Sequence, residues 1–168
     1  MFRSYTFSFE EVRPEIPVLM EYLQIPDSES YALVSEIVEK TFDELKDSKE
    51  IIGGYRVLDC PEVNMREGIV ACSAGYLHTG RKISGYMKGS GRIALFLCTA
   101  GKTFTGLSHA YQQNGDFLEA FVVESIGSAT VENAMDKVQQ YLEEEMTEQG
   151  KKITNRYSPG YCEWALSG

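Results

Sequence analysis

A chain of 168 residues, 43% hydrophobic and 24% charged, is long enough to bury a core as one soluble globular domain. Its formal net charge of −9 argues against a duplex nucleic-acid binder, which carries a basic face, and against docking on anionic lipid. No signal-peptide pattern opens the chain, and the longest apolar run, Ile93 to Ala100, is too short to cross a bilayer, so a cytoplasmic protein is expected.

Tyr5, Phe7 and Phe9 alternate with Thr6 and Ser8, the period of a half-buried strand. Pro14 and Pro17 break the chain, and Val18 to Leu23 allows one or two helical turns, stopped by Pro26. Asp27-Ser28 offers an N-cap to a helix over about residues 28–47, with Leu33, Ile37, Val38, Phe42 and Leu45 at helical spacing. Ile51-Ile52 and Tyr55 to Leu58 flank Gly53-Gly54 and read as a strand with a bulge or bend, ended by Pro61. Gly68 to Tyr76 reads as a strand, and Ile83 to Met87 as a short helical piece between the turns at Thr79-Gly80 and Gly89-Ser90-Gly91. The continuous apolar run Ile93 to Cys98 reads as a fully buried central strand.

Lys102 to Gln113 forms a helix weakened by Gly106, and Asn114-Gly115-Asp116 a turn. Phe117 to Val123 reads as a strand, and Gly127-Ser128 precedes a helix over Ala129 to Met146. That helix presents Val131, Ala134, Met135, Val138, Leu142 and Met146 on one face and ends at Gly150. Without strict strand–helix alternation, the expected class is α+β with a twisted, mainly antiparallel sheet and flanking helices.

Most candidate chemistry is weak. Cys60, Cys72, Cys98 and Cys162 lack metal-ligand spacing and read as reduced, mostly buried thiols. Gly85, Gly89 and Gly91 with Lys88 and Arg92 match neither a Walker A loop nor a dinucleotide fingerprint. His78 and His109 stand apart from any nucleophile motif, and Glu143-Glu144-Glu145 reads as solvated surface. Glu132 and Asp136, one helical turn apart, either take the ribose or amino group of a ligand or form an ordinary solvated face.

The informative stretch is Thr154 to Trp164, with one cation and three aromatic rings around a Pro159-Gly160 turn. A guanidinium beside a ring can hold a small zwitterion, the carboxylate on the Arg156 fork and a flat heterocycle on the aromatic. A surface loop whose aromatics plug the core is the other reading of the same residues.

Arg156-x-x-x-Gly160-Tyr161 resembles the S-adenosylmethionine-binding motif of the activation domain of cobalamin-dependent methionine synthase, and the string Thr154 to Trp164 resembles small free-standing relatives of that domain. Ile93 to Gly101 resembles the family's apolar strand ending in Thr-x-Gly. Ser125 to Glu132 resembles its strand-to-helix junction, with Glu124 where the family often has Asp. The resemblance implies S-adenosylmethionine in a shallow groove, held by Arg156, Tyr157, Ser158, Pro159, Gly160 and Tyr161, with Glu132 as a further partner. It implies no catalytic side chain and no metal site on this chain. Cobalamin would sit on a separate corrinoid protein, or on a methionine synthase lacking its own activation domain, with a flavodoxin-like electron donor. The implied role is an accessory one in methionine biosynthesis, reactivation of an oxidised corrinoid. Family members usually continue well past the motif, so residues 1–168 are expected to be one activation-domain-like domain lacking that C-terminal segment. A non-catalytic small-ligand or protein-interaction module that kept the fold is the alternative.

Overall fold

The computed structural model describes residues 2–25, 28–60 and 62–166. In chain order the elements are β1 (Phe2–Phe7), α1 (Phe9–Val12), α2 (Ile16–Tyr22), α3 (Ser28–Leu45), β2 (Ile51–Asp59) and β3 (Glu62–Asn64). There follow β4 (Ile69–Cys72), β5 (Gly75–His78), α4 (Gly80–Tyr86), β6 (Arg92–Thr99), α5 (Lys102–Asn114) and α6 (Phe117–Glu148). The class is α+β, as expected, but the strands form two small three-stranded sheets, ordered β1–β2–β6 and β3–β4–β5.

The strand read through Phe9 stops at Phe7 because Ser8 begins a capping box. The Glu11 carboxylate accepts from the Ser8 amide at 2.7 Å, and α1 starts there. Pro17 opens rather than breaks a helix: it occupies the first turn of α2, where a missing N–H costs nothing. The proposed caps and stops at Pro26, Asp27 and Pro61 lie outside the described residues. Helix α3 forms where its period predicts, although Val34 is buried while Leu33 is 53% exposed.

Two compact units emerge. One comprises Met1–Arg3, Tyr55–Leu95 and Tyr141–Gly168; the other comprises Ser4–Gly54 and Phe96–Gln140. In the second, Phe9 is fully buried and meets Phe42 and Phe104 edge-on, at centroid distances of 5.3 and 6.0 Å. Gly53 lies within β2, and a Cβ there would lie 2.7 Å from both Cys98 Sγ and Val138 Cγ2, so a bare backbone is what fits. At the start of α5 the Glu50 carboxylate accepts from the Lys102 and Thr103 amides at 3.1 Å each and from Thr103 Oγ1 at 2.9 Å. These bonds, Thr103 foremost, hold Glu50 below the usual carboxylate range.

Three further sequence readings are corrected. Gly68 to Tyr76 is a hairpin, β4 and β5 antiparallel with Ile69 opposite His78 and Cys72 opposite Gly75. The β6 run is neither central nor fully buried. It lies at the edge of its sheet and alternates, with Ile93 buried and Leu97 77% exposed, because only one side of its pleat faces packed residues. Phe117 to Val123 is helical and continuous with the next helix, so no strand-to-helix junction exists at 125–128. Val122, Ile126, Thr130, Ala134, Val138, Leu142 and Met146 are all buried at a four-residue interval, one face of a helix of 32 residues. Its start, rich in aromatic and apolar residues, suits a strand only when taken apart from the longer period. Helix α6 ends in a Schellman cap: Gly150 is left-handed and the Lys151 amide donates to Met146 O at 2.9 Å.

Candidate functional site

The loop of residues 153–164 follows α6 without regular structure until a turn at Pro159-Gly160. Gly160 has φ +94°, the left-handed value that proline followed by glycine sets up in a type II turn. Two backbone bonds close the turn on itself: the Gly160 amide donates to Trp164 O at 2.7 Å and the Trp164 amide to Tyr161 O at 3.0 Å. Within this closure Cys162 and Glu163 also take left-handed values, φ +49° and +73°. Such backbones cost non-glycine residues on the order of 1 kcal/mol or more each, so surrounding contacts must hold them.

Those contacts come from α4. Gly80, at φ +76°, is so close to the loop that a Cβ on it would lie 2.9 Å from Glu163 Cβ and 3.1 Å from the Glu163 carbonyl. Its other neighbour is Gly68, whose carbonyl accepts from the Gly80 amide at 3.1 Å. Three backbone segments thus approach at one point, and glycine is what permits it. Farther along α4, Tyr86 stacks on Tyr157, 5.6 Å between centroids and 16° between planes. Trp164 anchors the loop's end: it is 8% exposed, and its indole N–H is buried without a hydrogen-bond partner among the described residues.

The site residues read from sequence therefore fall into two groups. Arg156 and Tyr157 are half-buried, Ser158, Pro159 and Gly160 are exposed, and Tyr161 is 70% exposed. All six lie in the same compact unit, gathered by the turn. Glu132 belongs to the other unit, exposed on α6 with Asp136 one turn on. Tyr86 and Gly80 support the loop but escaped sequence reading. Nothing local to Gly80-Arg81-Lys82 signals that a backbone from the far end of the chain packs there.

Chemically, the loop offers a guanidinium, an exposed phenol ring and backbone groups around a tight turn. That set can take a carboxylate and a flat or cationic group, and it contains no acid–base pair. Among the described residues no group of three or more His, Cys, Asp or Glu side chains could hold a metal ion, and no helix is long and apolar enough to cross a membrane. No family model and no curated protein matches the chain.

Elsewhere in this unit the buried Tyr55 hydroxyl donates to Glu145 Oε2 at 2.6 Å, and Arg3 Nε donates to the same oxygen at 3.3 Å. The Tyr55 hydrogen bond, then Arg3, hold the Glu145 carboxyl below its ordinary value.

Proposed function

We propose that this chain binds S-adenosylmethionine through the 156–161 loop and presents its methyl group for reductive remethylation of a corrinoid held by a separate protein. The observation that carries the reading is the closed, left-handed turn at Gly160, which leaves Tyr161 outward on the same short loop as Arg156. Arg156 forks onto the ligand carboxylate, and the backbone of Tyr157 to Gly160 meets the adenine or amino group. Tyr161 offers its ring face to the sulfonium charge. The bound ligand supplies an activated methyl group, and the nucleophile belongs to the partner's cobalt after reduction by a flavodoxin-like donor. The chain's own residues bind and orient the ligand; none needs to move a proton.

Exposed Tyr161 at 70% and Leu166 at 84% favour a second reading, a module that meets another protein through this apolar loop. The two separate in one assay. The chain is mixed with S-adenosylmethionine, a reductant and either free cobalamin or a corrinoid protein from the same cell. Methylcobalamin should form far faster with the corrinoid protein, because docking orients the reactants, an effect worth several kcal/mol. Equal rates with free cobalamin contradict the accessory role. No stimulation by any corrinoid protein, with ligand binding intact, favours the interaction module.

A further inference from the structure

Outside the loop, the ends of β2 and β4 bring two thiols together. In the β3–β4 ladder Glu62 pairs with Ala71 and Val63 with Val70. Just beyond it the Ser73 amide donates to Asp59 O at 3.0 Å, which holds the end of β2 against the end of β4. Asp59 with Ser73 and Glu62 with Ala71 differ in register by one residue, so between these contacts Cys60 and Cys72 are close neighbours across the two strands without being a regular opposed pair. The Cys60 amide is engaged elsewhere, donating to Gly91 O at 3.0 Å. Disulfides accept Cα separations of about 4.4–6.8 Å, a range that close cross-strand neighbours reach. Both side chains turn the same way, since Leu58, Cys60, Val70 and Ile93 form one buried cluster and Cys72 packs against it.

We propose that Cys60 and Cys72 are a reversible thiol-oxidation site that closes to a cross-strand disulfide when the chain meets a small-molecule disulfide such as oxidised glutathione. The half-buried Cys72 is the entry point. Its thiolate attacks the small disulfide, forming a mixed disulfide and releasing one small thiolate. The Cys60 thiolate then attacks the Cys72 sulfur and releases the second. Two protein thiols are oxidised, one small disulfide is reduced, and two protons leave. Cys60 suits the second role: burial first, and the neighbouring Cys72 charge second, raise its thiol pKa, so it reacts only with a sulfur already beside it. The site is independent of any ligand in the 156–161 loop.

Peptide mapping tests it on the full, folded chain. After oxidised glutathione, acid quench and alkylation, trypsin cutting after Arg56, Arg66 and Arg81 leaves Cys60 in residues 57–66 and Cys72 in residues 67–81. The expected result is loss of both alkylated peptides together, replaced by their covalent adduct, which dithiothreitol reverses and Cys72→Ser abolishes. Exposed Cys162 reports in the same digest that the oxidant acted. Recovery of the two peptides separately, alkylated or carrying glutathione, while Cys162 is modified, overturns the proposal. The wild-type map decides alone if the variant fails to fold.

Discussion

Tyr86 and Tyr157 stack nearly parallel, 16° between ring planes, and so tie the candidate binding loop to α4. Aromatic pairs of this kind contribute about 0.5–1.5 kcal/mol beyond the area they bury. Tyr86→Ala should lower unfolding free energy by about 1 kcal/mol and weaken S-adenosylmethionine binding, because Tyr157 loses its support. Tyr86→Phe should leave both near wild type, since the ring and not the hydroxyl makes the contact. Denaturant unfolding and calorimetry on the three proteins check this.

Gly80 and Gly89 share a left-handed backbone, φ +76° and +81°, but differ in surroundings. A methyl at Gly80 meets Glu163, whereas nothing lies within 4 Å of a Cβ at Gly89. Gly89→Ala should cost only the backbone strain, about 1–2 kcal/mol. Gly80→Ala should cost about 1–3 kcal/mol more, as overpacking does, and should also displace the loop. Chemical denaturation of both variants, with tryptophan fluorescence reporting on Trp164, measures the difference.

Local signals in the sequence carried much of the fold and little of its assembly. Helix α3, the turn at Pro159-Gly160 and the stop at Gly150 depend on periodicity and on residues with fixed backbone preferences, so they were legible. The capping box at Ser8 and Glu11 is equally local, but the alternation of Tyr5, Phe7 and Phe9 runs through it and masks it. The run Ile93 to Cys98 misled because hydrophobicity says a strand is apolar, not which sheet position it takes; Leu97 is exposed on an edge. Phe117 to Val123 misled because Phe117, Phe121, Val122 and Val123 suit a strand, and only continuation of the four-residue interval through Met146 reveals one helix. In the candidate site the turn was legible, but its support by Gly80 and Tyr86 was not, because those contacts join distant segments.

Stability should fall in acid through Glu145 and Glu50. Both carboxyls titrate below the ordinary glutamate value of 4.5, Glu145 chiefly through Tyr55 and Glu50 chiefly through Thr103. Folded chains therefore hold fewer protons at these groups than unfolded ones. Their stabilisation is complete above about pH 4.5 and drains as pH falls through the lower folded values. Tyr55→Phe should flatten that acid limb by raising the Glu145 value toward normal. Urea unfolding at several pH values between neutrality and mild acid would show this; an unchanged acid limb in the variant would remove Tyr55 from the effect.

The central claim meets its most direct test in isothermal calorimetry of S-adenosylmethionine against the wild type and Arg156→Ala, with unfolding curves run alongside to confirm that both are folded. The wild type should bind, and the variant should bind weaker by about 2 kcal/mol, the cost of losing a charged hydrogen-bond partner. Arg156→Lys should recover part of that loss, since a point charge replaces a fork. Equal affinity for wild type and Arg156→Ala would take Arg156 out of the site, and absence of binding by a folded wild-type chain would contradict the assignment altogether.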